Sequence, residues 1–364
     1  MKSIKSFFSF LTIGMLFFVF TSCKEETSLP NVKTIFSHAN TTSTSATCGG
    51  QILDDGNASI ISKGVVWGRS IYPTVENNIG ITDEGSGIAE FTSNISDLTP
   101  STLYYVRAYA INSNGVGYGE QFSFTSLEEP WLAKHITNIL IEDYTATWCG
   151  YCPRVHYAIK AVTEENENIH AMAIYEDSDK RYSNVNQMIS IFNISGFPTA
   201  KVNRKSTWGY PENMNGLTSF LTAKSPLGIA IESSLSVSLA TIKVEIEYAK
   251  NFYEDLKVVV CLTESKLIGS QANYYSDGLG NPIANFEHNH VLRKAATDIF
   301  GDLIPASETL KDNKSTRNYS MLLDGYVKDN CSIVVFVVNS NKEVLNVQEV
   351  KVGESKGFQY ITKK

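Results

Sequence analysis

Cys149 and Cys152 are the residues with the clearest chemistry in this sequence. They lie in the stretch 148–153, WCGYCP, between a strand-like run and a helix-like run. Cysteines at this spacing can close a small disulfide, and a thiolate ahead of a helix is stabilised by free backbone N–H groups and the helix dipole. The pattern predicts thiol–disulfide exchange, with Cys149 as the exposed nucleophile and Cys152 as the thiol that resolves the mixed disulfide.

Metal binding is the alternative chemistry for such a pair. Zinc needs two further ligands, and the sequence contains no second Cys-x-x-Cys. His288 and His290 would share one face of a strand at a spacing that suits a metal, but no third ligand is evident beside them. We therefore predict a structural hydrogen-bonding role for these histidines, and neither a metal nor a cofactor for the protein.

The elements around the cysteines alternate between strands and helices. Hydrophobic patterning predicts strands over 136–144, 169–174 and 199–203, and helices over 149–165, 184–192 and 213–224. Alternation of this kind is typical of helices packed on a central sheet, so the middle of the chain is predicted to be an α/β domain.

Residues 141–149, IEDYTATWC, resemble the lead-in strand of thioredoxin and protein disulfide isomerase, with Trp148 directly before the first cysteine. The turn 196–199, GFPT, begins 44 residues after Cys152, where thioredoxin-like proteins place a cis-proline opposite the disulfide. This resemblance implies that Pro198 is cis and that the Phe197 backbone is presented to an extended substrate chain.

Asp143, six residues before Cys149, matches the buried acid of those families. The resemblance implies that this carboxyl takes the Cys152 proton, with a pKa raised by burial. Glu142 departs from the family pattern, which has an apolar residue there. Neighbouring strand residues face opposite ways, so one of the two acids can serve, and we favour Asp143. Pro153 is a second departure and predicts a looser first helical turn.

The N-terminus has the pattern of an export signal. Two lysines precede the apolar run 7–20, which ends at Thr21-Ser22-Cys23. This ending resembles a bacterial lipobox and predicts that Cys23 is acylated, with palmitate among the chains, and holds the protein on a membrane. Residues 24–26, KEE, resemble the export signal of Bacteroidetes-type surface lipoproteins; a solvated tether and the inner leaflet of the outer membrane are the alternatives. We predict a lipid-anchored outer-membrane location with surface exposure.

Composition limits the choice of partners and domains. The chain has 364 residues, 43% of them apolar, a formal charge of −7 and no basic stripe, so nucleic acid is not predicted as a partner.

Residues 32–127 read as short strands, and Tyr104 after a Thr-Pro turn resembles the tyrosine corner of a fibronectin type III-like domain. From 227 onward β patterning returns, interrupted by a long Gly-, Asn- and Asp-rich excursion over 264–312.

These patterns predict a multidomain protein: an all-β fibronectin type III-like sandwich, an α/β thioredoxin-like domain and a C-terminal all-β sandwich. The predicted segments are a signal peptide over 1–22, a lipidated tether over 23–31, the fibronectin-like domain over 32–127, the thioredoxin-like domain over 128–226 and the C-terminal sandwich over 227–364.

Residues 286–293, FEHNHVLR, read with Gln271 and Gly301, resemble the C-terminal region of the twenty-eight-kilodalton outer-membrane-protein family of Bacteroidetes lipoproteins. The cysteine stretch 148–153 is similar to that family as well, so the resemblance runs from residue 130 to the C-terminus. It implies a thioredoxin-like domain joined to a β-sandwich at the outer membrane, and it implies no substrate.

Two functions follow from these residues. The first is a thiol–disulfide oxidoreductase that acts on the thiols or disulfides of exported or surface proteins. The alternative is a non-enzymatic surface binding or adhesion lipoprotein in which the thioredoxin fold is a scaffold.

The remaining cysteines are Cys48, Cys261 and Cys331. The last two could pair in an oxidising compartment or remain buried thiols, and the sequence leaves this choice open.

Overall fold

The structure is a computed structural model that describes residues 27–362. The predicted signal peptide, the lipidation site Cys23 and the export signal lie outside the described residues. Within the described part, the chain divides between Glu128 and Glu129 into two compact units. In the same part, no helix combines the length and the apolar character needed to cross a bilayer.

The unit before Glu129 is a β-sandwich. One antiparallel sheet has the order β1-β2-β5, and the other has the order β4-β3-β6-β7 with β8 added to β6. Apolar residues from both sheets, among them Ile95, Val106 and Phe124, form one core. The strands are β1 (Asn31–Phe36), β2 (Ala46–Asp54), β3 (Ser62–Gly68), β4 (Gly80–Ile81), β5 (Phe91–Ile95), β6 (Leu103–Asn112), β7 (Gly115–Tyr118) and β8 (Phe122–Thr125).

Tyr104 has the geometry predicted for a tyrosine corner. Its hydroxyl accepts a hydrogen bond from the Thr99 backbone N–H at 2.9 Å, and its ring stacks on Phe124 with 5.7 Å between centroids. Alternate residues of β6, including Tyr104, Val106 and Ala108, point into the core, as the period of a half-buried strand requires. The predicted fibronectin type III-like sandwich is therefore confirmed.

The unit from Glu129 onward contains strands β9 to β23 and helices α1 to α3. The helices are α1 (Cys152–Glu165), α2 (Val185–Ile191) and α3 (Thr218–Leu221). The strands are β9 (Ile139–Thr145), β10 (Ile169–Tyr175), β11 (Thr199–Val202), β12 (Ser206–Thr207), β13 (Leu227–Ser236), β14 (Leu239–Tyr248), β15 (Leu256–Glu264), β16 (Leu267–Gln271), β17 (Ile283–His288), β18 (Val291–Ala295), β19 (Asp302–Ile304), β20 (Lys314–Leu322), β21 (Cys331–Val338), β22 (Val344–Lys351) and β23 (Ser355–Lys356).

One long sheet runs through this unit. Within the described residues its order is β12-β11-β9-β10-β18-β15-β21-β22, with β19 paired to β15. Strands β9 and β10 are parallel and are joined by α1, whereas β11 is antiparallel to β9. A second sheet, β20-β14-β13-β23, packs on one face of β15 and β21 and forms a sandwich. A short pair, β16 and β17, stands apart.

Both faces of β9 are buried, although Glu142 and Asp143 interrupt its apolar sequence. Ile139 and Ile141 face α1, where Val155 and Ile159 complete one core. The alternate residues face α2 and share a second core with residues of β15 and β21. The cysteine turn after β9 is thus attached to a strand fixed on both sides.

The predicted boundary at 226/227 lies inside this unit. Parallel strand β10 pairs with β18 at Ala173 and Val291, so the sheet is continuous across the composition change at Ser225-Pro226. An unpaired edge at β10 would expose backbone N–H and C=O groups, and β18 covers that edge. The predicted all-β sandwich is present, but it shares its larger sheet with the α/β part of the chain.

Two further expectations differ from the structure. The excursion 264–312 is not an extended loop, because it contains β16, β17, β18 and β19. The predicted helix 213–224 is reduced to a 3-10 turn, Met214–Gly216, and the single turn α3.

Candidate functional site

The cysteines lie in the tight turn that joins β9 to α1. The Cys149 N–H donates to the Ala146 carbonyl at 3.1 Å, and the Cys152 N–H donates to the Cys149 carbonyl at 3.2 Å. The two sulfur atoms form a disulfide, with 5.4 Å between the Cα atoms. Helix α1 begins at Cys152 rather than at the predicted Cys149, so Cys149 lies in the turn ahead of the helix.

Pro153 occupies the first turn of α1. The N–H groups of a first turn have no partner inside the helix, and the fixed φ of proline suits this position. The loose first turn predicted from Pro153 is therefore not required by this geometry.

Both cysteines are buried in the disulfide form. Cys149 is 4% exposed and Cys152 is 2% exposed, so the prediction of an exposed Cys149 is wrong for this state. The cover is a segment more than a hundred residues away in sequence, residues 271–275, which we name the cap segment. Its Ala272 N–H donates to the Thr147 carbonyl at 2.8 Å, and its Tyr274 N–H donates to the Gly150 carbonyl at 2.9 Å.

Gln271 fixes the cap segment to the cysteine turn. Its buried side-chain amide donates to the Ala146 carbonyl at 3.1 Å and to the Cys149 carbonyl at 3.0 Å. Gly150 is needed beneath the cap, because a Cβ at that position would lie 2.4 Å from Cγ of Tyr274. No pattern local to either segment predicts this contact, although Gln271 is among the residues that carry the family resemblance.

Exposed aromatic side chains surround the disulfide. Trp148 is 56% exposed, and its ring centroid lies 5.9 Å from that of Phe197. Tyr151 is 53% exposed and lies edge-on to Tyr274 and Tyr275 of the cap segment, at 5.3 and 5.9 Å. An apolar surface with polar edges therefore frames the cysteine turn.

The turn before β11 lies against the disulfide. Phe197 packs on the cluster formed by Ala146, Cys149 and Cys152, and the predicted cis bond between Phe197 and Pro198 is present. Strand β11 then runs antiparallel to β9, with Ala200 opposite Asp143. This pairing holds the proline turn beside the cysteines.

The two neighbouring acids of β9 face opposite cores. Glu142 is fully buried on the α2 side, and its carboxylate accepts two hydrogen bonds from Arg204, at 2.8 and 3.0 Å. Asp143 lies on the α1 side, and within the described residues its Oδ1 has no hydrogen-bond partner. Burial, assisted by the nearby Glu212 carboxylate, raises the pKa of Asp143 to about 8. Glu142 is committed to an ion pair, whereas Asp143 has a buried carboxyl oxygen with no hydrogen-bond partner from the described residues.

Asp143→Asn is expected to flatten the pH dependence of stability. The pKa of Asp143 rises from 3.8 to about 8 on folding, so between these values the folded protein binds more protons than the unfolded chain. The stability of the wild type should therefore be complete below the lower value and decline as pH rises toward the upper one. Urea unfolding at about pH 5 and about pH 8 should show a decline larger by a few kcal/mol in wild type than in Asp143→Asn. Glu176→Gln, at a carboxylate outside this core, is the control; equal slopes in all three proteins would contradict the assignment.

The histidines do not share a strand face as predicted. Strand β17 ends at His288, and His290 lies beyond it with a left-handed backbone, φ 57°. His288 Nδ1 lies 2.7 Å from the hydroxyl of buried Tyr175, as a structural hydrogen-bonding role requires. Among residues 27–362, no group of three or more His, Cys, Asp and Glu side chains is arranged to hold a metal ion.

The other three cysteines are buried free thiols. Cys261 and Cys331 lie on adjacent strands, but they face different cores. Cys261 is opposite Val334, three positions from Cys331 along β21. At about 3.3 Å per residue this offset exceeds the reach of a disulfide. Burial raises the pKa of Cys48 and of Cys261 to about 12 and that of Cys331 to about 11, so these thiols stay protonated.

Comparison with known proteins supports an outer-membrane class. Residues 185–356 match the family described as Outer membrane protein Omp28, which confirms the predicted family resemblance for this part of the chain and the outer-membrane location. The matched part includes Pro198 and Gln271 but begins after Cys152. Among curated proteins, none matches the chain.

Solved structures add information on the fold. HBP35 of Porphyromonas gingivalis is 20% identical, with 64% of this chain and 80% of that chain covered at a TM-score of 0.50, which indicates a shared fold. A domain of the outer membrane lipoprotein Omp28 from Porphyromonas gingivalis is 23% identical over 35% of this chain and 96% of that chain, at a TM-score of 0.25. The third fibronectin III domain of human KIAA0343 protein is 15% identical over 32% of this chain and 96% of that chain, at 0.21.

Proposed function

We propose that this outer-membrane protein is a thiol–disulfide oxidoreductase of exported or surface proteins, and that β9–β12 with α1 and α2 form a thioredoxin-like domain. The observation that carries the proposal is the Cys149–Cys152 disulfide ahead of α1, with the cis Phe197–Pro198 turn packed against it. The parallel β9-α1-β10 unit with antiparallel β11 supports the fold assignment. The anchor at Cys23 and surface exposure belong to the same proposal.

The proposed reaction starts from the reduced protein. The Cys149 thiolate attacks one sulfur of a substrate disulfide, a mixed disulfide forms, and the other substrate sulfur leaves as a thiolate. Cys152 then gives its proton to the Asp143 carboxylate, and its thiolate attacks Cys149. The second substrate thiolate leaves, the Cys149–Cys152 disulfide forms, and two electrons have passed to the substrate. The same steps in reverse oxidise a substrate dithiol.

The surroundings of the disulfide suit a protein substrate. Among the described residues, the Phe197 backbone has no hydrogen-bond partner, so its N–H and C=O can pair with an extended chain. Trp148 and Tyr151 supply exposed apolar surface on either side. The reaction requires no cofactor, because both electrons reside on the two sulfurs.

A non-enzymatic binding role is the second candidate. Burial of Cys149 under the cap segment favours it, since a covered sulfur cannot meet a folded substrate. In that case the aromatic surface would bind a partner, and the disulfide would be structural.

Reduction of a peptide disulfide by the pre-reduced protein tests the choice between these functions. We expect rapid thiol release by wild type and by Cys48→Ser, and background release by Cys149→Ser, because the nucleophile is gone. Circular dichroism checks that the variants are folded. Equal release by wild type and Cys149→Ser would leave only the binding role.

A further inference from the structure

A cavity of about 250 Å³ lies between α1 and β10. Its lining includes Asp143 and the β10 residues Ala171 and Ala173. The α1 residues His156 and Ile159 line it as well, and Lys160, Glu164 and Glu287 on its boundary are exposed. The cavity thus extends from the buried acid of the proposed reaction to solvent-exposed side chains.

The cavity exists because β10 carries small side chains here. Ala173 is the register partner of Asp143, and Ala171 is the partner of Ile141. A larger residue at either alanine would fill the space between the sheet and α1. Since a water molecule occupies about 30 Å³ of liquid volume, the cavity has room for several, and its polar lining suits them.

Asp143 and His156 are the polar groups that give this cavity a chemical use. The Oδ1 atom of Asp143 is buried without a hydrogen-bond partner from the described residues, and an orphaned buried oxygen of this kind needs water. His156 lies one helical turn after Cys152, is half-buried, and packs on Phe286 with 4.7 Å between ring centroids. A neutral imidazole can accept a proton on one nitrogen while it donates from the other.

We propose that this cavity is the proton path of the thiol-exchange reaction, in which water and His156 carry the proton between Asp143 and solvent. The inference rests on the proposed function. When Cys152 has given its proton to Asp143 and closed the disulfide, the Asp143 carboxylic acid loses that proton to cavity water. His156 accepts it on one ring nitrogen and releases another to solvent, so the Asp143 carboxylate is restored and one proton leaves.

The charges around the path agree with transient rather than permanent protonation of His156. Burial, assisted by nearby His290 and Lys160 and opposed by Glu287, lowers the pKa of His156 to about 4. His156 is therefore neutral at neutral pH and free to accept a proton. The titratable and charged groups around the cavity and Asp143 are His156, Lys160 and Glu164 of α1, Glu287 of β17, His290 after β17, Tyr175 of β10 and Glu212 after β12.

Two variants test the path with the full chain. Ala173→Leu fills the cavity without removing a titratable group, and His156→Ala removes the relay. Below about pH 8 the Asp143 carboxyl is mostly protonated and must lose its proton through the cavity before it can accept the next one from Cys152. In that pH range both variants should slow resolution of a peptide mixed disulfide on Cys149 by about tenfold or more and leave the first attack unchanged. Added imidazole should restore the rate of resolution in His156→Ala but not in Ala173→Leu. Tyr157→Phe, at the neighbouring residue outside the cavity, is the matched control.

A second readout needs no redox activity. In the oxidised protein, exchange of the Asp143 carboxylic proton with D2O, followed by the infrared C=O band, should be rapid in wild type and slow in Ala173→Leu. The path is refuted if exchange and resolution are unchanged in both variants, or if imidazole has no effect on His156→Ala. Fast exchange in a protein without thiol activity would instead refute the proposed function and leave the water path intact.

Discussion

Reduced Cys152→Ser protein is expected to collect a stable mixed disulfide on Cys149 when it meets a substrate disulfide. The attack by Cys149 needs no help from Cys152, but release of the substrate does, because Cys152 is the thiol that breaks the new bond. The change should convert a transient intermediate into the main product. Non-reducing electrophoresis with mass spectrometry of whole outer membranes would identify the trapped partners, and a peptide disulfide would give the rate in solution.

The paired variants make this experiment decisive. Cys149→Ser should trap nothing, since Cys152 begins the helix and is only 2% exposed, so it cannot meet a substrate disulfide directly. Cys48→Ser removes a buried thiol of the other unit and should behave as wild type. Equal adducts on the two cysteine variants, or none on Cys152→Ser, would contradict the assignment of Cys149 as the nucleophile and favour the binding role.

The sequence predicted the local parts of this site because their causes are local. The run into Cys149 begins with the continuous apolar residues 139–141, as in a strand buried on both faces, and the helix after Cys152 has its own periodicity. The proline turn was located by its distance from the cysteines. Strand alternation allows only one of Glu142 and Asp143 to serve, and the family resemblance favours Asp143. The ion-pair partner of Glu142, Arg204, lies 62 residues further on.

The parts that were not predicted depend on contacts between distant segments. The Gln271 side chain donates a hydrogen bond to the Cys149 carbonyl, 122 residues away in sequence, and no pattern within either segment predicts this bond. The boundary expected at 226/227 failed for a similar reason, since a change in composition does not reveal that β18 pairs with β10. The strands of the glycine-rich excursion are not predicted from its sequence, because β16 and β17 are short and half-exposed and therefore lack a strong apolar signal.

Substitutions that weaken the contacts of the cap segment are expected to expose Cys149. Gln271→Ala deletes two donors and leaves the Ala146 and Cys149 carbonyls without them, at a cost of about 1–3 kcal/mol. Gly150→Ala acts from the other side, because its new Cβ would lie 2.4 Å from the Tyr274 ring and force the exposed ring away. Since about 1.4 kcal/mol corresponds to a tenfold change in an equilibrium, each variant should increase the population with an open cap by about tenfold.

Alkylation of the reduced protein with iodoacetamide measures this opening. Cys149 should react about tenfold faster in Gln271→Ala and in Gly150→Ala than in wild type, if opening of the cap limits access. Cys48, Cys261 and Cys331 serve as internal controls, since they are buried elsewhere and should remain unlabelled until unfolding. Leu279→Ala, in the exposed part of the same excursion, is the matched control.

The cap should open as a unit rather than residue by residue. Asn273 binds its own loop, because its side chain donates to Asp277 at 3.0 Å and to the Gly280 carbonyl at 3.1 Å and accepts from the Tyr275 N–H. Hydrogen exchange should therefore show the Ala272 and Tyr274 amides, which donate to the cysteine turn, losing protection together in both variants. If labelling of Cys149 is already fast in wild type and neither variant changes it, the reduced protein has no closed cap, and access to the sulfur is set by the Trp148 and Phe197 side alone.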